Sequence, residues 1–269
     1  MSPVFIESVG LAAPGLPTWK EGRAILRGEA AYLHAPLASP ASAMLPANER
    51  RRATPAVRLA FQAAEDAMRG TTLPASGLAT VFASSDADLA IIHRICTALT
   101  NTPRVVSPTD FHNSVHNAAA GYWSIAAGAR PASTTISAYD GSFAAGLMEA
   151  IVQAQTEEQD VLLVAFDLPA PAPMNATRLI SHPAATAMVL THRPSARTLA
   201  AVSCRATAEA ETTLDDGALE QLRLGNPAVR ALPLMQSLAL RRFESVILPM
   251  GLGSNLAFEL RSPMANSHE

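Results

Sequence analysis

The stretch TTISAYDGSFAAGLMEA, Thr134 to Ala150, decides the fold class. It begins with residues that favour a strand, bends at Tyr139-Asp140-Gly141, and continues as an apolar helix predicted from Gly141 to Gln155. A strand that turns sharply into a buried helix places the bend residue at the end of a sheet, where many α/β enzymes hold a nucleophile. Here the apex is a tyrosine, and Asp140 is predicted to be an ordinary N-cap of the helix.

Strands and helices alternate through most of the chain. The clearest helix has Thr54 as its predicted N-cap, Pro55 at its first position and Gly70 at its end. The run DVLLVAFDL, residues 160–168, is typical of a strand covered on both faces. Further strands are predicted at 4–13, 78–85, 133–138, 184–193 and 199–210, with two short ones within 244–262; further helices are predicted at 18–27, 86–101 and 113–129, with two helical pieces broken at 225–227. We therefore predict an α/β protein of one domain.

The composition limits the function classes. The 269 residues are 49% hydrophobic and 16% charged, enough apolar content for a substantial core. The net charge of −3 does not favour nucleic-acid binding, and no run of eighteen or more apolar residues predicts a membrane span. No secretory signal is visible, which predicts a cytoplasmic protein. Cys96 and Cys204 stand in apolar contexts and are predicted to be small core residues, without a disulfide framework or cysteine metal cluster.

The predicted elbow lacks the residues that catalysis at such a bend requires. A cysteine at the apex would have a depressed pKa at a helix N-terminus, and a nearby oxyanion would be stabilised. The phenol of Tyr139 titrates near pH ~10, and Asp140 would oppose developing negative charge. Ser142 does not replace the nucleophile, because YDGSFAAG lacks the G-x-S-x-G spacing of a serine elbow.

Two histidines stand four residues apart in TDFHNSVHNAAAGYW. In a helix, His112 and His116 would share one face, as in a zinc site. The glutamate of H-E-x-x-H is missing and no third ligand is near, so we predict structural histidines and no metal. Asn113 is a candidate cap for a helix that begins at about Ser114.

A basic cluster and a glycine-rich turn complete the polar motifs. Arg50, Arg51 and Arg52 form the basic cluster within NERRRATPAVR, which predicts a solvated face or a docking site for an acidic partner. The turn PMGLGSN lacks both G-x-G-x-x-G and a Lys-Ser/Thr pair, so turn geometry explains its glycines and no nucleotide or other cofactor is predicted.

One alternative is an independent acyl-handling hydrolase or transferase. Its nucleophile would be Ser85 or Ser142, its base His112 or His116, and its third member Asp86 or Asp140. The segment ASSD favours this reading because it follows a predicted strand, outside whose end α/β folds place their sites. Ordinary loop geometry explains the same serines without catalysis.

Taken in order, four segments resemble the β-ketoacyl synthases, which have a thiolase-like fold. SAYDGSFAAGLMEA is similar to the family segment T-A-C-S-S-S-L, with Tyr139 at the position of the nucleophilic cysteine. FHNSVHNAAAGYWSIAAGA resembles the family's interface helix, SHPAATAMVLT the strand after E-G-A-G, and PMGLGSNLAFEL the closing G-F-G-G-T-N turn and strand. The resemblance implies a layered α/β fold with a complete first half, about 1–193, and an abbreviated second half, about 197–262, within a single domain 1–269.

The departures from the family pattern imply loss of activity. Ketosynthases need the cysteine and two histidines from the second half, and no H-G-T-G-T segment follows Tyr139. His182 and His192 stand in a loop and at a strand end, away from where the family places its histidines. The resemblance therefore implies a non-catalytic partner of an active ketosynthase, as in the chain length factors of type II polyketide systems, and in particular of aryl polyene and xanthomonadin-type pigment clusters.

This role assigns functions to particular residues. The strand before the bend would pair with the equivalent strand of an active ketosynthase in a heterodimer, through Ser133, Thr134, Thr135, Ile136 and Ser137. Tyr139 would be a bulky plug, and His112, His116, Ala119 and Tyr122 would help to set the depth of the partner's acyl tunnel. The cluster Arg50 to Arg52 would be a candidate docking site for an acyl carrier protein.

Overall fold

A computed structural model describes residues 3–39, 42–251 and 253–263 of the chain. The strands in these ranges are β1 Val4–Ala12, β2 Ala79–Ala83, β3 Ser133–Ile136, β4 Val161–Asp167, β5 Ala184–Thr191, β6 Ala200–Thr207, β7 Ser245–Gly251 and β8 Ser254–Arg261. The α-helices there are α1 Trp19–Leu26, α2 Ala47–Arg52, α3 Pro55–Arg69, α4 Leu89–Thr100, α5 Pro108–Asn113, α6 Ala118–Ala127, α7 Ser142–Thr156, α8 Gly217–Leu224 and α9 Leu232–Leu240. Short 3₁₀ helices include Tyr139–Gly141 and Pro227–Ala231.

The strands form one mixed sheet in the order β3-β2-β4-β5-β1-β6-β8-β7 across the described ranges. Strands β2, β3 and β4 are parallel to one another, and the remaining pairs are antiparallel. The carboxyl ends of the three parallel strands therefore open at the same end of the sheet, which is where α/β folds place their sites.

Strand β1 joins the two parts of this sheet. It pairs with β5 along most of its length and with β6 through Val4, Phe5 and Ile6. All nine of its residues are buried, including the polar Glu7 and Ser8. The three later strands thus extend the five-stranded first part instead of forming a separate unit.

Helices cover the sheet on both faces and form two apolar cores. Helices α3 and α6 pack on one face, around Phe61 and Trp123, whose ring centroids are 5.1 Å apart. Helix α7 packs on the other face, against β2 and β4 and also against β6 and β7. Its first half, Ser142 to Leu147, is buried on all sides, whereas its second half buries one stripe formed by Ala150, Ile151 and Ala154.

Most sequence predictions of elements are confirmed within one to three residues at each end. Thr54 caps α3 by accepting a hydrogen bond from the Val57 N–H at 3.3 Å, and Pro55 is the first helical residue. The predicted helix 113–129 is wrong at its start, because α5 ends at Asn113 and α6 begins only at Ala118. Asn113 does not cap a following helix; its Nδ2 donates to the Arg52 and Thr109 carbonyls at 3.2 and 3.0 Å.

The cysteine predictions are also partly wrong. Cys96 is exposed on α4 and Cys204 is half-buried on β6. Helix α4 buries only Ile91, although its sequence is apolar on several faces. Among the described residues no helix is both long and apolar enough to cross a membrane.

Candidate functional site

The elbow lies where β3 ends and α7 begins. Tyr139 sits at its apex with φ +53°, a left-handed conformation uncommon for a residue with a β-carbon. Ser142 holds the turn, since its Oγ donates to the Tyr139 carbonyl at 2.7 Å and accepts from the Ala138 N–H at 3.0 Å. Gly141 is required because a β-carbon there would lie 2.5 Å from the carbonyl oxygen of Met250 on β7. Packing and hydrogen bonds therefore hold a tyrosine at the apex of the elbow.

Asp140 has a different role from the predicted N-cap. Helix α7 is preceded by Gly141 and has no side-chain cap. The Asp140 carboxylate instead accepts a hydrogen bond from Arg178 Nη1 at 2.8 Å, and its second oxygen lies 3.9 Å from Arg230 Nη2. The N-cap prediction was wrong because a charged guanidinium is a stronger donor than the backbone N–H groups.

Arg178 lies over this elbow, although no sequence motif marked it. It belongs to the proline-dense loop between β4 and β5, and its side chain is only 11% exposed. Its Nε and Nη2 donate to Ser85 Oγ at 3.2 and 2.7 Å, and its Nε also contacts Asp86 at 3.2 Å. Its guanidinium carbon lies 3.7 Å from the centroid of the Tyr139 ring, a cation–π contact. Burial alone would lower the pKa of Arg178, but the hydrogen bond and charge of Asp140 raise it above its ordinary value.

A buried carboxyl group lies beneath this cluster. Asp167, the last residue of β4, accepts hydrogen bonds from Ser84 Oγ at 2.9 Å and from the Ser85 N–H at 2.8 Å. Its complete burial raises its pKa from 3.8 to about 7, against the lowering effect of those bonds. The position could have been recognised in the sequence, because Asp167 closes the apolar run of a buried strand at its carboxyl end.

The serines and histidines of the hydrolase or transferase alternative are not arranged for catalysis in the described structure. Ser142 is occupied by the backbone of the turn, and Ser85 Oγ accepts from Arg178. His116 Nε2 lies 3.1 Å from the carbonyl oxygen of Ser84, and the exposed His112 ring contacts Tyr122 edge-on at 6.2 Å between centroids. Within the described ranges no hydrogen bond joins either serine to either histidine, so the nucleophile–base contact is missing.

The residues assigned to tunnel shaping do not surround one cavity. Ala119 and Tyr122 are buried on α6, within the core beneath α3. His116 and Ala119 line a cavity of about 10 Å³, space for about one water molecule. Tyr139, by contrast, is 60% exposed at the elbow. Their shared effect on a partner's tunnel stays a prediction.

His192 and His182 lie at opposite ends of the sheet: His182 precedes β5, whose first residue Ala184 pairs with Asp167 at the elbow end. His192 pairs with Asp160 at 2.9 Å, and Asp160 precedes β4, so this pair lies at the end of the strand opposite the elbow. His182 packs against Gly225, and burial lowers its pKa. Among the described residues no group of three or more His, Cys, Asp or Glu is arranged to hold a metal ion.

The strand predicted to be a partner interface is a terminal strand of the sheet. Ser133 to Ile136 form β3, which pairs only with β2 in the described chain. Ser137 lies just beyond the strand and donates through its Oγ to the Ser85 carbonyl at 2.8 Å. The outer side of β3 therefore has no strand from the described ranges against it.

The basic cluster forms the second half of helix α2. Arg50, Arg51 and Arg52 are exposed, and none of them has an ion pair within the described part of the chain. Arg50 donates to the Leu45 carbonyl at 2.8 Å, and Arg51 donates to Asn48. The cluster is thus a solvated basic face, with its docking role untested.

Comparison with known proteins identifies the family. Residues 25–243 match the family described as Beta-ketoacyl synthase, N-terminal domain. This chain belongs to the β-ketoacyl synthase family. No curated protein sequence matches it.

Solved structures share the fold of this ketosynthase-family chain. A chain of the complex of the ketosynthase ApeO with its chain length factor ApeC from Xenorhabdus doucetiae is 23% identical with a TM-score of 0.71, and the match covers 96% of this chain and 99% of that one. The ishigamide ketosynthase/chain length factor is 14% identical with a TM-score of 0.67 and the same coverages. A chain of AntDE:AntF, a type II PKS acyl-carrier protein in complex with its ketosynthase, is 14% identical with a TM-score of 0.70, again over 96% and 99%. The predicted thiolase-like α/β fold is confirmed.

Proposed function

We propose that this chain is a catalytically inactive ketosynthase-like subunit, a chain length factor, that pairs with an active β-ketoacyl synthase and shapes its acyl tunnel. The observation that carries the proposal is the elbow: β3, a 3₁₀ turn and α7 follow one another there, and the apex is a tyrosine stacked beneath Arg178. The phenol of Tyr139 is a poor acyl acceptor. Neither Ser142 nor Ser85 has a general base hydrogen-bonded to it in the described structure, so neither is activated as a nucleophile.

The hydrogen-bonding pattern of β3 supports pairing with a second chain. The carbonyls of Ala132 and Ile136 accept from β2, from the N–H groups of Thr80 and Ser84 at 2.9 and 3.0 Å. Because alternate residues of a strand point their backbone groups to opposite sides, Thr135 directs its N–H and carbonyl outward. An edge of this kind is a template for another strand.

An apolar surface lies next to this edge. Helix α6 contacts β3, the His112 ring on α5 contacts α6, and Arg94 on α4 pairs with Asp110 on α5 at 2.8 Å. These neighbouring helices and their loops expose large apolar side chains: Leu99, Val105, Phe111, Val115 and Ile125. A cluster of exposed apolar residues beside an open strand favours a protein partner over solvent.

The similar structures support the identity of that partner. Two of them are described as a ketosynthase with a chain length factor, and a third as a ketosynthase with an acyl-carrier protein. We infer by this likeness a heterodimer with an active ketosynthase in a type II polyketide system of the aryl polyene kind, in the cytoplasm. The exposed arginines of α2 are the proposed contact for an acidic carrier protein.

Co-expression tests the proposal. The chain, tagged, is produced together with the ketosynthase encoded in the same gene cluster, and the purified product is weighed by native mass spectrometry. The expected result is a one-to-one heterodimer that condenses malonyl units. A chain that stays monomeric or homodimeric in the presence of that ketosynthase would contradict the proposal, and a homodimer would support a structural protein without a partner.

An activity probe separates the proposal from the serine enzyme alternative. The isolated chain is treated with an acyl thioester and, separately, with a fluorophosphonate, and intact mass is measured. We expect no adduct. An adduct on Ser85 or Ser142 would favour the alternative, while an adduct elsewhere would require a nucleophile outside the elbow.

A further inference from the structure

Arg178 contacts the Tyr139 ring and also bonds Ser85, Asp86 and Asp140. We propose that Arg178 is a positioning residue: it fixes the Tyr139 ring, so that arginine and tyrosine together set how far a partner's acyl chain can extend. The inference rests on the proposed function, because this depth matters only in a complex that holds an acyl chain.

The Tyr139 ring depends on this contact. The residue is 60% exposed, and within the described ranges its ring stacks against the guanidinium of Arg178. An exposed tyrosine side chain can exchange between staggered rotamers within nanoseconds. A guanidinium stacked 3.7 Å from the ring centroid favours one of these rotamers over the others.

Arg178 is itself held by groups from different elements. Ser85 and Asp86 follow β2, whereas Asp140 belongs to the 3₁₀ turn of the elbow. A planar guanidinium can bond all three at once, because its donors diverge in one plane. The ammonium group of a lysine would reach only part of this set, so the geometry requires arginine specifically.

The charges around the elbow fit this positioning role. Asp86 and Asp140 face Arg178, and Arg230 approaches Asp140 from the 3₁₀ helix Pro227–Ala231. Two carboxylates and two guanidiniums therefore form a cluster of balanced charge around Arg178, whose guanidinium stacks on the Tyr139 ring. A long-lived cluster of this kind holds a side chain more firmly than one exposed ion pair does.

Nitration measures the position of the ring in the chain alone. The sequence has three tyrosines; Tyr122 is buried, Tyr32 is half-buried, and Tyr139 is the exposed one. Peptide mass spectrometry after tetranitromethane treatment therefore follows Tyr139. Arg178→Met should increase its nitration rate about two- to fivefold, the range that a cation–π contact supports. Arg178→Lys should give an intermediate rate.

The control is Arg205→Met on β6, which removes exposed ion pairs with Glu209 and Glu259 and should leave nitration unchanged. Circular dichroism checks that each variant is folded. Equal nitration rates for folded Arg178→Met and the unsubstituted chain would overturn the positioning role, whatever the partner does.

In the co-purified complex, the distribution of product lengths measures how far the partner's acyl chain can extend. Arg178→Met and Tyr139→Ala should each lengthen or broaden the products, and the double variant should add no further shift, because the two residues are proposed to act as one unit. An intact complex with unchanged products in Arg178→Met would overturn the depth inference and leave the proposed pairing standing. If the unsubstituted chain takes up no ketosynthase, the proposed function fails and the depth inference fails with it, while nitration still decides the positioning role.

Discussion

The two edge strands of the sheet differ in whether another described segment covers them. At the β7 edge, the Ile247 N–H donates to Thr212 Oγ1 at 2.9 Å and the Ile247 carbonyl accepts from the Thr212 N–H at 2.8 Å, so a segment of the same chain covers the edge. At the β3 edge, no described segment covers the outward groups of Thr135. A protein that protects one edge and leaves the other open, next to exposed apolar side chains, has an edge suited to a partner strand.

The largest expected effect comes from closing the open edge. Thr135→Pro removes an outward N–H without touching the bonds to β2, and proline is tolerated in edge strands. An unpaired partner carbonyl at a buried interface costs about 1–3 kcal/mol. We therefore expect the chain to bind its ketosynthase about tenfold more weakly or worse, measured by surface plasmon resonance.

Thr135→Val is the matched control, because it changes the side chain and keeps the N–H. It should bind the ketosynthase almost as the unsubstituted chain does. Undiminished binding by Thr135→Pro would show that the partner does not pair with β3.

The next effect tests the contact between the elbow and the covered edge strand. Gly141→Ala would force a β-carbon against the Met250 carbonyl of β7. Overpacking of this kind costs about 1–3 kcal/mol, so we expect the free energy of unfolding to fall by that amount in urea titration. Gly121→Ala is the control, because a β-carbon on α6 would meet nothing within 4 Å, and it should stabilise by about 0.5–1 kcal/mol. Equal stability of the two variants would contradict the described packing.

A pH-dependent effect is expected on the open-edge side of the sheet, at Asp167. Its burial raises the pKa from 3.8 in the unfolded reference to about 7 in the folded chain, so the folded state binds the proton more tightly. The contribution of Asp167 to the free energy of unfolding is fully present below about pH 4 and is lost as the pH rises through about 7.

Asp167→Asn should remove that slope, a difference on the order of 2 kcal/mol between the two ends of the range. Unfolding free energies at pH 5 and pH 8 measure it. If the unfolding free energies of the variant and the unsubstituted chain change equally between pH 5 and pH 8, Asp167 is ionised in the folded chain across this range.

The smallest effect concerns the covered edge. Thr212→Val removes the acceptor of the Ile247 N–H and should lower the unfolding free energy by about 1 kcal/mol. It should leave ketosynthase binding unchanged, since the protected edge has no partner in the proposal. A loss of binding in Thr212→Val would mean that the two edges do not have separate roles.

Local chemistry made part of this fold predictable from the sequence. Thr54, Pro55 and Gly70 mark the ends of α3 because capping depends on residues only a few positions apart. The elbow was predicted for the same reason: a strand, a bend with glycine and an apolar helix follow one another directly. The resemblance to ketosynthases supplied the interpretation of its apex.

Long-range contacts made the remainder unpredictable. Asn113 was expected to cap a helix, but its amide bonds the carbonyl of Arg52, a contact that requires the folded chain. Arg178 reaches Ser85 and Asp140 from a loop with no periodic pattern. The sequence of α4 predicted a buried Cys96 because apolar content does not distinguish a helix covered by its own chain from one left uncovered.

The central place of β1 has a consequence for biosynthesis. Its residues are made well before those they pair with, because Val4 pairs with Val202 and Val9 pairs with Met188. Non-local pairing of this kind is slow to form and leaves apolar segments exposed meanwhile. The nascent chain must therefore carry an unpaired, largely apolar strand until residues 188 to 202 have been made, so chaperone supply is expected to govern its soluble yield when it is produced in a foreign host.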